Sequence, residues 1–111
     1  MRLLRYGDGG RRVEHYGSRG FTHFRVGLVE GNAAVGYVQL EEGGVIGRHP
    51  APAPQLLIVV DGSGYVSGAD GAEQRIAAGE AVHWELGEEH ETRTDQGLVA
   101  VVVEAESLQL G

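Results

Sequence analysis

The amino-acid sequence predicts an all-β domain, and three observations carry that prediction. Glycine supplies 19 of the 111 residues and is spread through the chain. The segments between glycines are short and rich in valine, isoleucine and tyrosine, which is the punctuation of strands and turns. No stretch shows an apolar stripe of helical period over about ten residues. The expected architecture is a sandwich or a barrel closed on itself, either of which hides its strand edges.

Taken in order, residues 1–20 are dominated by arginine, glycine and aspartate and read as an ordered edge strand or a loose arm. Residues 21–111 form the β domain, with strands expected at 21–30, 33–40, 55–60, 64–67, 73–77, 81–85, 90–93 and 98–104. Turns are expected at 30–32, 61–64, 68–71 and 95–97, where glycine stands with asparagine, aspartate, serine or glutamine. There is no internal repeat and no low-complexity linker.

The stretch RHPAPAPQLL, residues 48–57, holds all three prolines. Proline fixes its own φ and pushes the preceding residue toward extended geometry, so 49–55 cannot be helical. If side chains alternate there, His49, Ala51, Ala53 and Gln55 share one face; polyproline geometry, with its period of three, would break that face. Because proline donates no ladder hydrogen bond, the segment belongs at a sheet edge or barrel rim.

Size and composition exclude several classes. The chain is long enough for one core and too short for two. No run approaches the roughly 18 to 20 apolar residues of a membrane-spanning helix, and the opening MRLLRYGDGGRR lacks the apolar centre of a secretory signal, so the expectation is a soluble cytoplasmic protein with no membrane partner. The absence of cysteine removes disulfides, thiolate metal sites and cysteine nucleophiles. A formal charge of −7 argues against a nucleic-acid partner. All nine basic residues are arginine, which points to a GC-rich genome.

The residues around the proline stretch resemble the two motifs of the cupin family. The first is a glycine, five residues, His-x-His, three or four residues, a glutamate, six residues and a glycine; Gly43, His49, Ala51, Gln55 and Gly62 stand at those positions. The second is a glycine, five residues, Pro-x-Gly, two residues, a histidine, three residues and an asparagine; it reads Gly79, Glu85, Leu86, Gly87, His90 and Thr94. Residues 63–78 separate the two, a spacing similar to that of small single-domain bacterial cupins. The resemblance covers roughly residues 41–94 and implies a double-stranded β-helix, or jelly-roll barrel, that commonly forms a homodimer.

In the family, two histidines and a glutamate of the first motif and the histidine of the second hold a divalent metal. Residue by residue, His49 and His90 are kept, Ala51 stands for the second histidine and Gln55 for the glutamate. Two neutral imidazoles and an amide lack the charge that draws a divalent ion. The leading expectation is therefore a small-molecule-binding cupin whose cavity is lined by His49, Ala51, Gln55, Leu57, Trp84 and His90, with turnover left open. The competing expectation is a metal-dependent oxygenase, isomerase or cyclase in which His49, Gln55 and His90 hold zinc, iron, manganese or nickel, with His83 and Glu85 as compensating groups. A third is a metal-free acid–base enzyme in which His49 or His90 moves a proton.

Other residues read as structural. Glu88, Glu89 and Glu91 beside a turn suggest a solvated face, and Trp84 in mid-strand suggests core packing as well as a stacking surface. His15 and His23 lie outside both motifs. Arg48 would face away from His49, and no serine lies in a nucleophile-elbow pattern.

Overall fold

The computed structural model describes residues 1–111 and is built from strands, with one short 3-10 turn and no α-helix. The strands are β1 (Arg2–Arg5), β2 (Arg11–Val13), β3 (Phe21–His23), β4 (Gly27–Leu40), β5 (Val45–Pro50), β6 (Gln55–Ser67), β7 (Gln74–Ala77), β8 (Glu80–Trp84), β9 (Glu89–Arg93) and β10 (Leu98–Leu110). One layer runs β1-β8-β6-β10-β4. The other runs β5-β9-β6-β7, so β6 belongs to both. All pairs are antiparallel, and the whole is a jelly roll.

Strand β6 shares its residues between the layers. Gln55 to Ile58 pair with β8, and the same half pairs with β10, whereas Ser63 to Ser67 pair with β7 and β9. Between the halves the register against β10 shifts: Val59 lies opposite Ala100 and Asp61 opposite Val99, leaving Val60 as an extra residue. Such a bulge bends and twists a strand. Gly62, at φ +78°, follows it, and a Cβ there would collide with the carbonyl of Gly97.

The core fills the space between layers. Leu57, Val59, Val66, Ile76, Val82, Trp84, Leu98 and Ala100 form one buried cluster, to which Leu3 of β1 and Leu40 of β4 add cover. Trp84 is fully buried and its indole N–H donates to the Ser67 carbonyl at 3.2 Å, which satisfies its one polar atom.

Several sequence expectations need correction. The expected turns at 30–32 and 61–64 are bulges inside long strands: Gly31 has φ +78°, but β4 continues through it, with Gly31 and Asn32 set against Glu106 alone. The expected strand 21–30 is two strands, β3 and the start of β4. Two strands lie within residues 1–20, and β1 is the outer strand of the first layer. β2 and β3 form a separate hairpin, pairing only with each other. Residues 45–50, unassigned from sequence, form β5, which pairs only with β9, the edge position that the prolines require. No helix is long and apolar enough to cross a membrane.

Two predictions follow from these elements. Gly62→Ala combines an unfavourable positive φ with a backbone collision, and should cost about 2 to 4 kcal/mol, read as a lower urea midpoint at unchanged m-value. His83, on β8 opposite Arg2, has a buried Nε2 with no hydrogen-bond partner. Burial, against the pull of Glu85, holds this imidazole below its ordinary value. The unfolded chain therefore binds the proton more readily, so this contribution to stability is whole above about pH 6.5 and is lost as pH falls below it. His83→Leu should flatten the stability-versus-pH curve between about pH 7 and 5 in urea titrations.

Candidate functional site

A cavity of about 360 Å³ lies between the two layers, lined by side chains from β4, β5, β6, β9 and β10. Its polar groups come as two cross-strand pairs, one from each layer. His49 of β5 lies directly opposite His90 of β9, and Gln55 of β6 lies directly opposite Glu104 of β10. Side chains opposite one another in an antiparallel pair project to the same face, so register alone brings each pair together.

The histidine pair is in ring-to-ring contact, with the planes tilted by 52°. Its ring centroids are 4.4 Å apart, and the Trp84 indole also packs against His90, at 4.6 Å. His49 Nδ1 lies 2.7 Å from the Gly47 carbonyl, and His90 Nδ1 lies 3.2 Å from the Glu88 carbonyl. A carbonyl only accepts, so each Nδ1 carries the proton and donates it. In a neutral ring the lone pair is then on Nε2. Burial, reinforced by the neighbouring His49 and opposed by the Glu88 carbonyl, holds His90 below its ordinary value, which keeps the neutral form.

The Gln55–Glu104 pair is joined by a hydrogen bond from the Gln55 amide N–H to Glu104 Oε1 at 2.8 Å. A carboxylate accepts only, so this bond fixes which end of the amide faces it. Glu104 Oε2 has no partner within the protein. Thr92 of β9 completes the polar wall, and Val35, Val38, Ile46, Leu57 and Val102 form the apolar one.

Of the six residues expected to line the cavity, the structure brings His49, Gln55, Leu57 and His90 to its wall. Ala51 and Trp84 lie outside it. The chain leaves β5 at Pro50 and bends before β6, which breaks the alternation that would have kept Ala51 on the His49 face; its N–H and C=O bond instead to the Glu88 carbonyl and the Gly87 amide. Trp84 belongs to the core and touches the site through its tilted ring contact with His90. Glu104 was missed by sequence reasoning, although its signal was present. Leu98 and Ala100 are buried on one face of β10, and the same alternation carries Val102 and Glu104 inward.

Other candidates lie away from the cavity. His83 and Glu85 do not reach it, since His83 falls on the face of β8 opposite to Trp84. The Arg48 guanidinium turns to Ser67 Oγ and the Gly68 carbonyl, tying β5 to the β6–β7 loop. Glu88 is not a solvated carboxylate: it accepts from the Met1 amino group at 2.8 Å and from the backbone N–H groups of Glu85 and Ala69. Burial alone would raise its pKa, but these bonds outweigh that cost and lower it.

The divalent metal implied by the motif resemblance can be tested against these donors. Ala51 contributes none, Gln55 offers only a neutral amide oxygen where a carboxylate would bring charge, and no three histidine, aspartate or glutamate side chains converge closely enough to hold an ion. The donor set does not fit a metal held by three or four protein ligands.

A two-layer antiparallel barrel with one cavity between its layers is the double-stranded β-helix class. The family model described as a cupin domain matches residues 36–105, and the chain belongs to the cupin family. Its fold is similar to that of a cupin 2 conserved barrel domain protein from Salinispora arenicola, at 20% identity and a TM-score of 0.62 over 71% of this chain and 67% of that one. It is also similar to an uncharacterized protein with a double-stranded β-helix domain from Klebsiella pneumoniae, at 20% identity and TM-score 0.62 over 76% and 78% of the two chains. An RmlC-like cupin family protein from Methanocaldococcus jannaschii aligns at 16% identity and TM-score 0.64 over 70% and 73%. No curated protein matches the chain.

The packing of Trp84 yields a prediction. In Trp84→Phe the ring is smaller and cannot donate, leaving the Ser67 carbonyl unpaired and a gap behind His90. A loss of about 2 to 4 kcal/mol is expected in chemical denaturation, with altered chemical shifts of the His90 ring in NMR spectra.

Proposed function

We propose that this cupin domain binds a small organic molecule in the cavity between its layers, without a resident metal. The observation that supports this most directly is the composition of the wall: one apolar side and one polar side made of the His49–His90 and Gln55–Glu104 pairs. A concave site with a few convergent polar groups on an apolar surface is the usual form of a small-molecule pocket, and about 360 Å³ lies at the small end of the roughly 300 to 1,000 Å³ such pockets span. The occupant is a compact metabolite rather than a polymer. The lone pairs on His49 and His90 Nε2 are available to accept hydrogen bonds from it.

The test is elemental analysis of untagged, chelator-free protein together with a fragment screen by saturation-transfer NMR, on wild type and on Ala34→Phe. Ala34 lines the cavity from an exposed stretch of β4, so a phenylalanine there fills the cavity without disturbing the core. Metal well below one per chain and fragment hits that vanish in Ala34→Phe are expected. About one transition metal per chain, lost in both His49→Ala and His90→Ala, would overturn this reading in favour of a metal-dependent enzyme.

We also propose that the protein assembles as a homodimer through its amino-terminal hairpin. Residues 1–25 carry six arginines against Asp8 and Glu14, whereas residues 26–111 carry three arginines against fourteen carboxylates. The hairpin of β2 and β3 exposes Phe21, and an isolated hairpin is marginally stable in water. On the acidic body, β4 pairs only with β10 and exposes Val35 and Tyr37, with Glu30 nearby in the same strand. Charge and apolar surface match between the hairpin of one copy and β4 of another. Light scattering should give a dimer whose dissociation is promoted by salt and by Arg11→Glu with Arg12→Glu; a monomer at all concentrations and salts would refute the assembly.

A further inference from the structure

The hydrogen-bonding inventory of the cavity narrows the class of ligand. Resting on the binding function proposed above, we infer that the cavity takes a small organic cation, a primary ammonium group on a short apolar body. Glu104 is the one formally charged carboxylate in the wall, and no arginine lines it. The chain has no lysine, and the nearest motif arginine, Arg48, spends its guanidinium on Ser67 and Gly68. The remaining free polar atoms are mostly acceptors. Glu104 Oε2 is unpaired; Gln55 Oε1 faces away from Glu104 because its amide nitrogen is bonded there; each histidine has given its Nδ1 to a backbone carbonyl. The second amide hydrogen of Gln55 and the Thr92 hydroxyl are the donors that remain.

A ligand carboxylate or phosphate placed in this wall would meet Glu104 with no cation to offset the repulsion, and it would leave the acceptors unpaired. An ammonium group has three donors and no acceptor, which complements the set, and its charge is opposite to that of Glu104. A short alkyl body would then lie against Val38, Leu57 and Val102. The apolar share of the wall distinguishes this ligand from a hydrated metal ion, which has no use for it.

The experiment compares three probes of one shape, n-hexylammonium, n-hexanoate and 1-hexanol, by isothermal titration near pH 7.5 with chelator-treated protein. Wild type should bind hexylammonium at least tenfold more tightly than hexanol, and hexanoate should not bind. Glu104→Gln should abolish the preference for the ammonium, so that ammonium and alcohol bind alike whatever the absolute affinity, while Ala34→Phe should abolish binding of both. The three-probe comparison on wild type stands by itself if Glu104→Gln fails to fold. Hexanol or hexanoate binding as tightly as the ammonium, and lost in Ala34→Phe, would overturn the cation inference and leave the binding function intact. No binding of any probe would overturn the cation inference, and about one metal per chain in protein purified without chelator would overturn the binding function with it.

Discussion

The structure depends on one strand serving two sheets. β6 pairs with β8 and β10 through its first half and with β7 and β9 through its second, so both layers hang from the same backbone. That is possible only if the strand turns sharply without leaving the ladder. The extra residue Val60 and the positive φ of Gly62 supply the turn, and the contact of Gly62 with Gly97 shows how close the backbones come. The neighbouring turn is fixed from its other side by Thr94, whose hydroxyl donates to the Ser63 carbonyl at 2.6 Å and accepts from the Gly97 N–H at 2.9 Å. A side chain at the second-motif position thus holds the crossing, which is why that motif carries fold information even where its chemistry is altered.

From the crossing the cavity follows. Once β6 fixes how the layers face each other, the register of β5 on β9 sets His49 beside His90, and the register of β10 on β6 sets Glu104 beside Gln55. Each pair is held by more than its neighbour. Trp84 packs behind His90 and is itself anchored to Ser67, so core and site share an element. Of the strands around the site, β6, β9 and β10 are paired on both sides, while β4 and β5 are edge strands. Such an arrangement preorganises the polar groups and leaves the apolar rim accessible.

Much of this was legible in the sequence, and the misses have physical reasons. Motif spacing pointed to His49, Gln55 and His90, which the fold brings to one cavity wall, because spacing in a jelly roll reflects register. Glycine was misread at 30–32 and 61–64 because the same left-handed backbone serves a turn and a bulge, and only long-range pairing distinguishes them. β5 was hidden by Pro50 at its end and the two prolines just beyond it, which weaken a strand signal although an edge strand tolerates proline. Ala51 was misplaced because alternation was carried across a bend, and Glu104 was overlooked because its partner is distant in sequence. Charge segregation between residues 1–25 and the body was equally readable, but its meaning required seeing that the hairpin stands apart from the barrel.

The alteration of the first motif can be understood as a displacement of charge rather than its loss. The family pattern, as the resemblance implies it, puts a carboxylate at the position of Gln55; here an amide stands there, and a carboxylate stands directly across from it on β10, at Glu104. The amide donates to one oxygen of that carboxylate, which holds the group against its own sheet and leaves the other oxygen free. Negative charge stays in the cavity, but one strand removed and partly satisfied. Ala51 contributes no imidazole, and the remaining side chains do not supply the several converging ligands that a compact ion needs. On such a fold the polar groups of the site, and not the barrel as such, decide what can be bound.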